Sequence, residues 1–230
     1  MNAAALTRSL SPETVANGLP VHAGLISRRH SAGYPLKKRL LDLVLCGLAL
    51  PIALPVLGLC AALVRLSGPG PIFFVQPRTG WGGRRFPLIK FRTMVDGAHA
   101  MKAEIKKEHA LEGPDFKLEN DPRVTPIGRF LRRTSLDEAP QLWNVLKGDM
   151  SLVGPRPTSF EAQTYSLWHT ERLEVVPGIT GLWQVRGRGD IDFDERVRLD
   201  IAYIRNRSLA LDVSILLRTI PAVLAQRGAY

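Results

Sequence analysis

Asp137 and Glu138 are adjacent carboxylates, and Arg129, Arg132 and Arg133 lie just ahead of them. Acids set beside a group of cations suit phosphate chemistry, where a carboxylate serves as nucleophile or metal ligand. The same residues have a plainer use. Ser135-x-x-Glu138 has the form of a capping box, with Asp137 in a first turn where the helix dipole favours an anion. The two uses are compatible if Ser135 and Glu138 shape the turn while Asp137 faces a substrate. A helix is then expected from about Leu136 to Lys147, stopping at Gly148, with Leu142, Val145 and Leu146 as its buried stripe. Its N-terminus would supply amide donors for phosphate oxygens. Downstream, Pro155-Arg156-Pro157 is a stiff triplet that fixes where its arginine points.

These residues must be held somewhere, and the elements before them say where. From Leu43 to Val64 there are 22 residues without a charge, rich in Leu, Val, Ile and Ala. A straight helix of that length crosses a hydrocarbon core of ~30 Å. Pro51 and Pro55 fall in its middle and predict a kink near Leu50–Pro55. Lys37, Lys38 and Arg39 precede the run, and Arg65, Arg78, Arg84 and Arg85 follow it. Both flanks therefore favour the cytoplasm. A helix that enters, bends and returns to the same face satisfies both; a kinked spanning helix is the alternative. Asp42, near the entrance, would pair with a neighbouring base or sit at headgroup level.

The remaining segments are short. Ile72–Gln76 and Phe86–Met94 read as strands, with Pro77–Arg85 a loop between them. Val95–Leu111 has helical character, with Lys102, Lys106 and Lys107 on an interfacial or solvated face. Phe160–Leu173 is expected to be helical, and Val176–Arg188 a glycine-punctuated turn with a short strand. Asp192–Arg207 and Leu209–Ala225 follow as helices. The fold class is thus mainly α with short β-strands, α+β, in a small membrane-associated domain. Three segments follow: a disordered or mobile tail over residues 1–35, a membrane helix over 36–66 and a domain over 67–230 that holds the acid pair.

Composition narrows the partners. Lysine and arginine number 31 against 21 acids, a net charge of +10, which points to a polyanion. Cys46 and Cys60 both lie in the apolar run, and the five histidines are scattered, so no disulfide framework or zinc site is indicated. No recognised nucleic-acid motif is present. A membrane-anchored basic protein without catalysis, binding anionic lipid or nucleic acid, is the rival class. An ordinary glycosyltransferase, moving sugar without phosphate, is a second.

Four stretches occur in order: Lys90-Phe91-Arg92-Thr93-Met94, Ser135-Leu136-Asp137-Glu138-x-Pro140-Gln141, Ser151-Leu152-Val153-Gly154-Pro155-Arg156-Pro157, and Pro177-Gly178-Ile179-Thr180-Gly181. Together they resemble the bacterial sugar transferases, monotopic polyprenyl-phosphate phosphoglycosyl transferases that start glycan assembly. The resemblance covers roughly residues 35 to 230. The ending, with Leu211-Asp212 and Arg218–Leu224, is similar to members that initiate exopolysaccharides with a hexose phosphate. Long forms carry further N-terminal membrane helices, and this chain looks like the minimal form. The resemblance implies transfer of a sugar-1-phosphate from a UDP-sugar to undecaprenyl phosphate, releasing UMP. Asp137 would attack the phosphorus nearest the sugar, and Mg2+ bound by Asp137 and Glu138 would neutralise the leaving UMP. Arg132 or Arg133 would supply positive charge. Arg156, between Pro155 and Pro157, would contact the uridine end. Lys90 and Arg188 would lie near phosphate, with Arg186 competing with Arg188. It also implies a re-entrant helix and a domain on the cytoplasmic face of an anionic bacterial inner membrane, with downstream glycosyltransferases as further partners and no nucleic acid.

Overall fold

The structure is a computed structural model that describes residues 33–101, 105, 118, 121–186 and 191–225. Its longest element, α1, spans Tyr34–Leu66, opens with a proline in its first turn and runs through Pro51 and Pro55 as one helical segment. It is long and apolar enough to cross a membrane, with a mean hydropathy of 2.5 over its most apolar window. Leu48, Ile52, Leu54 and Leu59 are exposed along it. The opposite stripe is buried. Cys46 packs with Phe86, Leu88, Val145 and Met150, and Cys60 and Val64 pack with Phe91 and Leu131.

Polar side chains tie both ends of α1 to the rest of the molecule. Near its start, the Tyr34 hydroxyl donates to Asp212 Oδ2 at 2.8 Å and Lys38 Nζ lies 3.2 Å from the same oxygen. Arg39 donates to the carbonyls of Val145 (2.5 Å) and Leu146 (2.8 Å). Asp42 is buried and accepts the backbone N–H of Leu152 at 3.1 Å, in place of the base or headgroup that its position predicts. At the far end, Arg92 donates to the carbonyls of Val64 (3.1 Å), Gly68 (2.8 Å) and Pro69. A buried guanidinium thus ties the last turn of α1 and the turn after it to the end of the ribbon.

Strands β1 (Phe73–Thr79) and β2 (Arg85–Phe91) form an antiparallel ribbon, with Phe73 opposite Phe91 and Pro77 opposite Pro87. The expected loop from Pro77 is therefore shorter, because β1 continues through Pro77 to Thr79. A proline is tolerated there because β1 has no ladder partner beyond β2 at that position, so its missing N–H breaks no pairing. After β2, residues 96–101 form turns at the start of the expected helix, and Ile105 within it is helical; Lys102, Lys106 and Lys107 lie outside the described residues.

Helix α2 (Pro126–Thr134) is capped by Thr125, whose side chain accepts the Gly128 N–H. A 3-10 turn (Leu136–Glu138) and helix α3 (Gln141–Lys147) follow. The single helix expected from Leu136 is broken because Pro140 stands at the N-cap of α3 and has no N–H to continue the ladder. Strands β3 (Ser151–Val153) and β4 (Gly178–Thr180) pair in parallel. Between them, 3-10 segments (Ala162–Thr164, Leu167–Glu174) replace the expected helix over Phe160–Leu173. Helix α4 (Leu182–Arg186) follows β4, in a stretch expected to stay a turn and strand. Helices α5 (Phe193–Asn206) and α6 (Leu209–Leu224) close the chain, capped by Asp192 and Ser208. Val153, Leu182, Tyr203, Ile204 and Ile215 form the core beneath them.

Candidate active site

The four sequence stretches are the four walls of one site, and close backbone packing is what joins them. β3 and β4 lie so near each other that a Cβ on Gly178 would stand 2.0 Å from the Gly154 nitrogen. The ladder is continued by Gly154 N–H to Thr180 O and Gly178 N–H to Pro155 O, both at 2.9 Å. This fixes the Pro155-Arg156-Pro157 turn, whose two prolines are buried. In the same way a Cβ on Gly128 would stand 2.0 Å from the Thr93 carbonyl, so α2 rests directly on the stretch after β2. The Thr125 N–H donates to that carbonyl at 3.1 Å, and Arg132 Nε donates to Thr93 Oγ1 at 3.0 Å.

The turn that carries the two acids follows α2. Ser135 has φ +58° and closes α2 in the left-handed region. Its side chain makes no capping hydrogen bond, so the capping box is absent, and the Glu138 N–H meets only the Ser135 carbonyl at 3.2 Å. The expected amide-lined helix start is also replaced, because Asp137 and Glu138 sit in a three-residue 3-10 turn. Freed from capping, Glu138 points at cations. Its Oε1 accepts from Lys90 Nζ at 2.7 Å, its Oε2 accepts from Arg156 Nη1 at 3.0 Å, and Arg156 Nη2 completes a two-pronged pair. Such pairs are the strong form of charge-assisted bond. Burial disfavours the Glu138 anion, but Arg156 and Lys90 outweigh it and hold its carboxyl well below the usual range.

Asp137 is treated in the opposite way. Its carboxylate has no hydrogen bond or ion pair among the described residues. Burial, reinforced by the charge of Glu138, pushes it from 3.8 up to about 6, against the pull of Lys90, Arg132 and Arg156. Arg132 is half-buried beside it, anchored through Nε, with its terminal nitrogens unbonded to protein among the described residues. Arg133 is exposed on α2, so the two arginines that spacing leaves equivalent differ in burial. Arg186 is exposed at the end of α4, and Arg188 lies outside the described residues. Beside Arg156 a small pocket is lined by Thr79, Gly80, Pro155, Pro157 and Tyr165.

Asn144 is a residue that the motifs do not single out. It is buried on α3, accepts the Ile89 N–H at 3.2 Å and donates to the Pro87 carbonyl at 2.8 Å. It pairs with β2 as a neighbouring strand would, which sets the position of Lys90 one residue on. Its signal was a polar residue next to Val145 on the buried stripe. Gln141, Asn144 and Val145 are the buried residues of α3, whereas Leu142 and Leu146 are half-buried.

A ribbon, an acidic turn and a Pro-Arg-Pro loop thus meet around one carboxylate without a partner among the described residues and one neutralised by two cations. A family model for bacterial sugar transferases matches residues 33–226, and the chain belongs to that family. It is 46% identical over 202 residues to an undecaprenyl-phosphate galactose phosphotransferase of Salmonella typhimurium, covering 84% of this chain and 41% of the relative. It is 42% identical over 206 residues to a UDP-glucose:undecaprenyl-phosphate glucose-1-phosphate transferase of Caulobacter vibrioides, covering 85% and 72%. It is 41% identical over 204 residues to the exopolysaccharide production protein ExoY of Rhizobium meliloti, covering 85% and 88%. The chain therefore spans less than half of some relatives and most of others.

Proposed function

We propose that the protein transfers a hexose-1-phosphate from a UDP-sugar to undecaprenyl phosphate and releases UMP, as the first membrane step of exopolysaccharide or capsule assembly. The observation that carries this is the unequal treatment of the two carboxylates. Glu138 is tied to Lys90 and Arg156, while Asp137 is unpaired beside them. A carboxylate is a weak nucleophile, but its acyl phosphate is activated for onward transfer.

In the first step an Asp137 oxygen bonds to the phosphorus nearest the sugar, and the bond to the UMP oxygen breaks with its electron pair. In the second step the acceptor phosphate oxygen bonds to the same phosphorus and the Asp137 carboxylate leaves. Phosphoryl transfer asks mainly for positioning and charge neutralisation. Arg132 offers unbonded donors beside Asp137, and Lys90 keeps the turn cationic. Arg156 stands between the turn and the pocket, where the uridine end would lie. The oxygen donors of the pair suit Mg2+. Glu138 is already covered by two cations, so Asp137 is the open protein ligand and the rest would come from substrate phosphates and water. When bound, Mg2+ would neutralise charge on the departing UMP.

The re-entrant course of α1 and a seat on the cytoplasmic leaflet belong to the same proposal. Both ends of the helix bond to one domain, through Lys38, Arg39 and Asp42 at one end and Arg92 at the other. That is hard to combine with ends on opposite faces of a bilayer. The sugar is left to experiment, since the relatives named above include a galactose and a glucose enzyme.

The test is UMP release by purified protein with undecaprenyl phosphate across a panel of UDP-sugars. UMP from one hexose donor, with a radiolabelled sugar appearing in the lipid diphosphate, is expected. Release of UDP would mean plain sugar transfer. Release of neither would favour the non-catalytic rival.

A further inference from the structure

Arg172 and Asp200 lie outside the reacting turn, yet they form a fully buried ion pair, 5% and 1% exposed, at 2.6 Å. A buried pair is costly to desolvate and is often no more stable than an apolar replacement, so its bonds are informative. Arg172 Nη2 donates both to Asp200 Oδ2 and to the backbone carbonyl of Arg156, at 2.8 Å. The other Asp200 oxygen is buried with no partner among the described residues. Among them the carboxylate bonds to Arg172, which it orients. The Phe193 ring lies 5.8 Å from the Arg172 guanidinium and confines it further.

We infer that Arg172 and Asp200 are positioning residues for the Pro155-Arg156-Pro157 turn, acting through Arg156 on Glu138. The chain runs from Asp200 on α5, through Arg172 on the 3-10 segment, to the Arg156 carbonyl, and from the Arg156 side chain to Glu138. It supplies from outside the site what two prolines cannot: a fixed height for the Arg156 backbone above the reacting turn. This inference rests on the proposed phosphosugar transfer for its kinetic reading, though not for its structural one.

The test is a double-mutant cycle on kcat for UMP release, in the full-length protein. Asp200→Asn alone is expected to lower kcat by about 10- to 100-fold, the scale of a misplaced catalytic contact. Added to Arg156→Lys, it is expected to cost less than about threefold more, since residues acting as one unit are not additive. Losses that multiply, or an Asp200→Asn enzyme with normal kcat, would overturn the relay. Should Asp200→Asn fail to fold, Arg172→Lys, which keeps a cation beside Asp200, takes its place in the same cycle. A second readout needs no turnover: the Arg156 Nε–H resonance is expected to move in Asp200→Asn, and an unmoved signal would also reject the relay. A wild-type protein that releases no UMP would refute the proposed reaction and leave that resonance as the arbiter here.

Discussion

At the scale of residues, the central contrast is between two neighbouring acids with opposite surroundings. Asp137 keeps its proton up to about pH 6 when folded, against 3.8 ordinarily. The folded state therefore binds more protons than the unfolded one between about pH 4 and 6, and stability falls as pH rises through that window. Above it the penalty is fully present. Asp137→Asn should abolish UMP release and raise stability at pH near 7.5, by about 1 kcal/mol once partial exposure is allowed for. The gain should vanish near pH 4. Thermal melts in chelator at the two pH values check this; a variant destabilised at both would contradict it. The arginines before the turn make a second contrast. Arg132→Ala should cost kcat by about tenfold or more through lost charge stabilisation, while Arg133→Ala, on the exposed face, should stay within about twofold. The sequence singled out Asp137 and Glu138 by residue type, and the family resemblance added Arg156, which the structure places against Glu138. It could not show that Glu138 abandons the cap for Lys90 and Arg156. That choice depends on a strand 48 residues earlier and a loop 18 residues later.

At the scale of elements, short pieces are held by backbone contact more than by extended secondary structure. Ser135 occupies the left-handed region, which costs a side-chain residue roughly 1–2 kcal/mol. Ser135→Gly should leave stability unchanged or raise it by up to about 1 kcal/mol, whereas Ser135→Val should lower both stability and turnover. A capping serine would give the reverse for glycine, a loss of a few tenths. Chemical denaturation distinguishes the two. Asn144→Ala should cost about 1–3 kcal/mol by stranding the Ile89 N–H and Pro87 carbonyl, and should weaken turnover through Lys90. The long helices α1, α5 and α6 were legible because each has periodicity or sustained apolarity and, in two of them, a capping residue. β4 falls in the short strand expected within Val176–Arg188, but β3 and the 3-10 segments were not legible, since three-residue strands and tertiary-held turns carry almost no local signal. The parallel pairing of β3 with β4 is written only in the glycines at 154 and 178, whose reason is a neighbour distant in sequence.

At the scale of the whole molecule, the apolar helix is also a structural member of the domain. Asp212 is wholly buried and receives the hydroxyls of Tyr34 and Tyr203, at 2.8 and 2.7 Å, and Lys38. Asp212→Ala should strand these donors and cost about 3–5 kcal/mol, seen as a lower melting temperature in detergent. Cysteines placed at Gly33 and Ser67 should both resist a periplasmic reagent in intact cells; labelling of Gly33→Cys alone would favour a spanning helix. The clasp at Asp212 also bears on biosynthesis. Tyr34 and Asp212 are 178 residues apart, and ribosomes add about 5–20 residues per second. For roughly 10 to 35 seconds, Tyr34 and Lys38 wait for Asp212, while Arg39 and Asp42 wait roughly 5 to 20 seconds for Val145, Leu146 and Leu152. During that interval the charged flank of α1 must find lipid headgroups or water. The clasp is therefore complete only once α6 has been made.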